Sequence, residues 1–243
     1  VAKRYPVNWK VAQEAFMEAF HVIATHPQIL AGTGDCNSQY DVFGNFSRAI
    51  TPNGTPSPHL QWDPTEQEIF DAITDKRLDE EPMATIPEGM TARAFAAQVA
   101  RERLRSAVPD VDTYCDAEIN DSMYFTLFPN FHPWGAFNRI NYRFRPVGTK
   151  VDECLMECIY TEDFEGDERP APAEYIELGI DQDWTELIPV IGNLARVFHQ
   201  DSFNLPKVQK GLETFRADGL TLTKYQEVKI RHWHAMAERF IAN

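Results

Sequence analysis

Two imidazoles five residues apart, His21 and His26, are the first residues in this chain whose types could do chemistry. They close the stretch NWKVAQEAFMEAFHVIATHPQ, residues 8–28, and Glu14 and Glu18 precede them by one and two turns. Imidazoles and carboxylates are common ligands for transition metals, so the grouping predicts a metal site. Val11, Ala15, Ala19 and Val22 recur at helical spacing, with Phe16 and Phe20 widening the stripe, and this predicts a helix through the region. On an unbroken helix, at about 100° per residue, side chains five apart point roughly 140° away from each other. Both imidazoles reach one ion only if the helix loosens between them, as in a π-type turn of the kind found at functional sites. Pro27 also biases His26 away from helical geometry. The alternative is structural, with His21 in the core and His26 at a helix carboxyl end.

A third ligand has to come from elsewhere. Asp201, in FHQD at 198–201, stands on an otherwise apolar helical stretch. His199 competes for the role, but residues two apart face apart on a helix. Two neutral imidazoles and one carboxylate leave open positions for dioxygen and substrate, the set typical of non-haem Fe(II) oxygenases. Zinc hydrolases use a similar set, so ligand types alone leave the metal open. His132 is expected to end a strand. Cys36, Cys115, Cys154 and Cys158 form no CxxC pair, and no metal role is predicted for them.

The elements that position these residues follow from patterning. With 243 residues, 43% hydrophobic and 25% charged, the chain can bury a substantial core. A net charge of −14 disfavours nucleic acid and anionic membranes as partners. No run of 18 apolar residues and no signal-peptide core is present, so a cytoplasmic location is expected. Residues 39–50 predict a strand, 52–58 a proline-rich loop, and 66–76 and 91–107 helices, the first behind the start signal Asp63-Pro64-Thr65. Residues 122–134, 138–145 and 151–160 are β-type runs joined by short turns, implying an antiparallel sheet. An acidic loop is expected over 162–172. Residues 187–198 lead into a helical segment broken at Pro206. A closing helix over 225–242 carries Ile230, Trp233, Ala237, Phe240 and Ile241 on one stripe. One α+β domain over residues 1–243 is the simplest reading.

Several motifs together resemble the catalytic domain of Rieske-type aromatic-ring-hydroxylating oxygenase alpha subunits. They are NWK followed by ExxxExFHxxxxH at Glu14 to His26, and QDxxNxxxVQKG at Gln200 to Gly211. YDxxG at Tyr40 to Gly44 and Phe128-Pro129-Asn130 agree. The resemblance covers the whole chain. It implies a helix-grip fold, a curved antiparallel sheet wrapped around a long C-terminal helix. It also implies Fe(II) held by His21, His26 and Asp201, with Glu18 as the carboxylate bridging toward a neighbouring subunit's cluster. Asn204 and Glu14 would stand behind the ligands, and Ala15, Val22, Ile191 and Val197 would wall the substrate pocket.

The family also requires a [2Fe–2S] Rieske cluster bound by Cys-x-His and Cys-x-x-His segments. Neither pattern occurs here, so the cluster domain is expected before residue 1, outside this chain. The resemblance implies reductive activation of O2 and cis-dihydroxylation of an aromatic substrate, or else monooxygenation or demethylation of a small substrate. A ferredoxin or reductase would supply electrons to a homotrimer, with or without a beta subunit. A non-catalytic binder of hydrophobic ligands on the same fold is the alternative from a different class.

Overall fold

The computed structural model describes residues 1–135, 137–162 and 166–242. Its strands are β1 (Ala2–Tyr5), β2 (Gln39–Phe43), β3 (Phe46–Thr51), β4 (Ser122–Leu127), β5 (Phe131–Pro133), β6 (Ile140–Pro146), β7 (Cys154–Tyr160) and β8 (Glu177–Leu178). They form one sheet in the order β2-β3-β4-β5-β6-β7-β1-β8. Neighbours are antiparallel except β1 and β8, which run parallel at one edge. The helices are α1 (Trp9–Glu14), α2 (Val22–Thr25), α3 (Glu66–Ile73), α4 (Ala92–Leu104), α5 (Asp116–Asn120), α6 (Ile188–Ile191), α7 (Leu194–Thr214) and α8 (Val228–Ala242). The architecture is the expected α+β helix-grip, with a mixed rather than purely antiparallel sheet.

The grip is shared between two helices. α8 packs on β2 and β3, and α1 packs on β6 and β7. Their meeting point is marked by Trp9 and Trp233, whose rings touch edge-on with centroids 5.6 Å apart. The main core lies between α1, α7 and the β6–β7 half of the sheet, around Tyr142, Phe144, Met156, Trp184 and Phe198.

The sequence predicts no strand at the start of the chain, and three local expectations need correction. The opening residues form β1, seated between β7 and β8; Lys3, on this strand, is buried and donates to the carbonyls of Gly179 and Ile180 at 2.9 Å each. Residues 39–50 are a hairpin rather than one strand. Phe43 pairs with Phe46 across the two-residue turn Gly44-Asn45, which interrupts the apolar pattern too briefly to be seen as a break. α7 runs unbroken through Pro206. An interior proline costs about 3 kcal/mol, and burial of Phe198, Asp201 and Leu205 on the same helix overrides it. On α8 the buried positions are Lys229, Ile230, Trp233 and Met236, whereas Phe240 and Ile241 are 61% and 86% exposed. The last turn projects past the sheet, leaving Phe240 stacked only on Phe128.

The acidic loop expected over 162–172 includes residues 163–165, which lie outside the described residues. Among the described residues no helix is long and apolar enough to cross a membrane.

Candidate metal centre

The helix predicted through both histidines stops early. α1 is capped by Asn8, whose side chain accepts from the Lys10 amide, and it ends at Glu14. Beyond it, side chains replace helical carbonyls as acceptors. Tyr40 Oη takes the Ala19 amide at 3.0 Å, and Glu18 Oε2 takes the His21 amide at 2.9 Å. The chain resumes as the single turn α2, with His21 at its N-cap and His26 at its C-cap. A one-turn helix capped at both ends by histidine thus does what a π-type turn was expected to do. It lets imidazoles five residues apart face one point.

Asp201 reaches the same point from the third turn of α7. Ala195, Phe198, Asp201 and Leu205 are that helix's buried positions, so a carboxylate sits within an apolar stripe. Asp201 Oδ1 lies 3.1 Å from His26 Nε2 and 3.9 Å from His21 Nε2. One donor atom from each of the three lies within 4.8 Å of the others.

Each imidazole is oriented from behind. His21 Nδ1 lies 2.8 Å from Glu18 Oε1, and His26 Nδ1 lies 2.9 Å from Gln200 Oε1. An oxygen acceptor at each Nδ1 fixes the proton there and leaves the Nε2 lone pair aimed at the shared centre. Gln200 is itself held by a reciprocal amide pair with Gln28, at 2.9 and 3.0 Å. Burial pulls the His21 pKa down, but the Glu18 charge and hydrogen bond, with Asp201, outweigh it and leave it raised. Without an ion, the nearby carboxylates favour a cation at this point. Two oriented imidazole lone pairs and a buried carboxylate fit a divalent transition metal with positions left open.

A cavity of about 190 Å³ opens on the three donors. Ala15, Val22 and Val197 line it. Ile191 does not, because the chain breaks at Gly192 (φ 62°) and leaves Ile191 on α6 in the main core. Leu194 takes the wall position instead, and Phe16, Trp134, Tyr142 and Phe198 supply aromatic walls that sequence reasoning missed.

The remaining candidates separate. Glu14 is not at the centre; it accepts from His234 Nε2 at 2.8 Å. Asn204 donates to Thr25 Oγ1 at 3.0 Å rather than to Asp201, tying α7 to the residue before His26. His199 faces away and pairs with Asp183 at 2.9 Å. His132 is buried inside β5, bonded to Thr126 and Gln13. Gln200, adjacent to Asp201 in the sequence, was overlooked because a glutamine is not a ligand type. Donor atoms of Asp35, Cys36 and His59 also lie within 4.8 Å of one another, but none of these residues lines the cavity. All four cysteines are free thiols, and burial pushes Cys154 and Cys158 up to about 12.

An eight-stranded sheet gripped by helices thus brings two histidines and one aspartate to one point. The chain belongs to the ring-hydroxylating alpha subunits, whose catalytic-domain profile its sequence matches over residues 1–243. No curated protein sequence matches it. Among solved structures it is similar to a quaternary ammonium Rieske monooxygenase in complex with an inhibitor. The TM-score is 0.51 at 13% identity, over 99% of this chain and 48% of that one. A quaternary ammonium Rieske monooxygenase described for carnitine oxidation by gut microbiota and inter-subunit electron transfer gives 0.50 at 15% identity, over 99% and 49%. These likenesses show the shared fold. The chain spans about half the length of the solved structures it matches.

Proposed function

We propose that this chain is the oxygen-activating portion of a Rieske-type oxygenase, with His21, His26 and Asp201 holding a ferrous ion beside an aromatic-lined substrate cavity. One observation carries this reading. Three side chains from α2 and α7 aim donor atoms at one point, and both imidazoles are oriented from behind by Glu18 and Gln200. The bound iron would supply dioxygen binding and the redox chemistry of ring oxygenation.

The chain's own residues do the rest. Phe16, Trp134, Tyr142 and Phe198 hold an apolar ring beside the centre and exclude water from it. Gln200 and Glu18 keep the Nε2 lone pairs inward by holding a proton at each Nδ1. Glu18 is buried against His21, and in this reading it is the protein's link to an electron-donating cluster on a neighbouring subunit of a trimer. That [2Fe–2S] cluster belongs to a Rieske domain outside this chain, reduced in turn by a ferredoxin or reductase. The four cysteines here do not fit it. None has a histidine two or three residues on, and two are buried in β7. The aromatic walls favour an aromatic substrate. Cis-dihydroxylation is our reading, and monooxygenation or demethylation is the second, supported by the same open ligand set.

Anaerobic Fe(II) loading followed by metal analysis tests the proposal. We expect about one iron per chain, and none above background for Asp201→Ala. Equal loading of the two proteins, or none in either, sinks the oxygenase reading and leaves a binder of hydrophobic ligands.

A further inference from the structure

A second cavity, of about 620 Å³, lies between α3, α4, α5, Trp134, Gly135 and residues 137–140. Asn53, Ser122 and Trp134 line both this cavity and the smaller one at the metal centre, so the two abut across these residues. The larger one has the size of a small-molecule site. Its body is apolar, including Phe70, Ile73, Val99, Met123 and Phe137.

The charge on its walls is unusual for so acidic a chain. The charged lining residues are Arg103, Asp121 and Arg139. Asp121 is already neutralised by Arg93, at 2.6 and 3.1 Å. The two remaining arginines have no carboxylate partner among the described residues. Arg103 donates only to Met83 Sδ, at 3.6 Å. Its neighbours on the same helix fare differently, since Arg93 and Arg101 each meet an aspartate within 2.8 Å. Arg103 and Arg139 are exposed residues that line the cavity, so they stand where it meets solvent, in a chain whose net charge of −14 makes carboxylates abundant. A guanidinium left beside apolar walls recruits a carboxylate or sulfonate through charge-assisted hydrogen bonds.

We infer that this larger cavity binds an amphipathic organic anion, its apolar body between α4 and β4 and its carboxylate or sulfonate on Arg103 and Arg139. Its end nearest Trp134 then points into the smaller cavity, which makes the larger one the outer lobe of a two-lobed substrate site. That last step rests on the proposed function; the anion site itself does not. The substrate class that follows is an extended hydrophobic acid, rather than a neutral hydrocarbon or a cation.

Two probes of the same shape test this. They are 1-anilinonaphthalene-8-sulfonate and N-phenyl-1-naphthylamine, which lacks the sulfonate. Each is measured by equilibrium dialysis against the purified chain, with metal content recorded in parallel. We expect the sulfonate to bind at about one per chain. An Arg103→Gln/Arg139→Gln variant should weaken it by about tenfold while changing the amine less than about twofold. Ala100→Trp, which fills the cavity, should weaken both; thermal melts show that each variant is folded. Equal binding of the two probes with no effect of the glutamines, no binding to the parent chain, or indifference to Ala100→Trp overturns the inference. Iron loading without probe discrimination removes the anion site alone. Discrimination without iron loading removes the oxygenase reading and leaves the anion site standing.

Discussion

Two clusters of mostly buried polar side chains sit in this fold, and one of them, unlike the other, aims unused donor atoms at a shared point. At the candidate metal centre, His21 and His26 each have Nδ1 against an oxygen acceptor, so both Nε2 lone pairs are free and converge with Asp201 on a cavity. Under α8, His132 uses both ring nitrogens internally, one on Thr126 and one on Gln13, each at 3.2 Å. Lys229, fully buried, is held by one long contact of 3.4 Å to the Tyr124 carbonyl and by that residue's ring, 4.5 Å away. Burial and the Lys229 charge press the His132 pKa down to about 3, and burial takes Lys229 to about 7. What separates the clusters is not residue type but where the unused lone pairs point. The second cluster spends them within itself.

The largest effect should therefore divide the histidines. His26→Ala is expected to abolish iron binding, whereas His132→Ala keeps about one iron per chain, as read by metal analysis after anaerobic loading. Loss of iron in both variants would make the two clusters one site and end the comparison. Next in size is a stability effect centred on Lys229 in the second cluster. The folded pKa of Lys229 is about 7 against an unfolded value near 10.4. Below about pH 7 both states carry the proton and the native state bears the cost of a buried cation. As pH rises from there toward 10, the unfolded state alone keeps the proton, so this group's contribution grows more favourable. Lys229→Met removes that slope. Relative to the parent, the variant should gain on the order of a few kcal/mol near pH 6 and lose most of that advantage by pH 10, in urea titrations. Parallel pH profiles for the two proteins would contradict the buried-cation account.

A third and smaller effect returns to the metal centre. Gln200→Leu removes the acceptor behind His26 without touching a ligand. Iron affinity should fall about 10- to 100-fold with the fold retained, measured by chelator competition. An unchanged affinity would mean that packing alone orients His26, and the lone-pair argument would then apply only to His21.

The grouping of the first cluster was legible in the sequence because His21, His26 and Asp201, residue types with narrow uses, were expected together and converge. Imidazoles and carboxylates stand out as candidate ligands in any sequence, and Glu18 three residues before His21 sits against it. The path between them was not legible. After Glu14 the helix gives way to i→i−3 turns at Phe16 and Met17, and Tyr40, from a distant strand, then takes the Ala19 amide; no local propensity carries that information. Pro206 misled in the opposite sense, since long-range packing outweighs a local breaker. Ile191 was misplaced for a backbone reason: Gly192 at positive φ redirects the chain between it and the cavity. The α+β class was readable from the β-type runs over 122–160 and the helices around them, and the helix-grip from the family resemblance, yet the N-terminal strand was missed. Four residues buried on both faces show no alternation, so they carry no periodic signal.

The smallest effect tests how far orientation extends beyond the atoms that touch the imidazoles. Asn204 donates to Thr25 Oγ1, and Thr25 precedes His26 on α2. It acts on the backbone that carries the ligand rather than on the ring. Asn204→Ala should therefore cost about 1 kcal/mol in stability, the worth of one partly buried hydrogen bond, and weaken iron by less than Gln200→Leu does. Denaturant midpoints and chelator competition, run on both variants, separate the two effects. If Asn204→Ala instead cost as much affinity as Gln200→Leu, the position of α2, not the tautomer of His26, would be what the α7 signature protects.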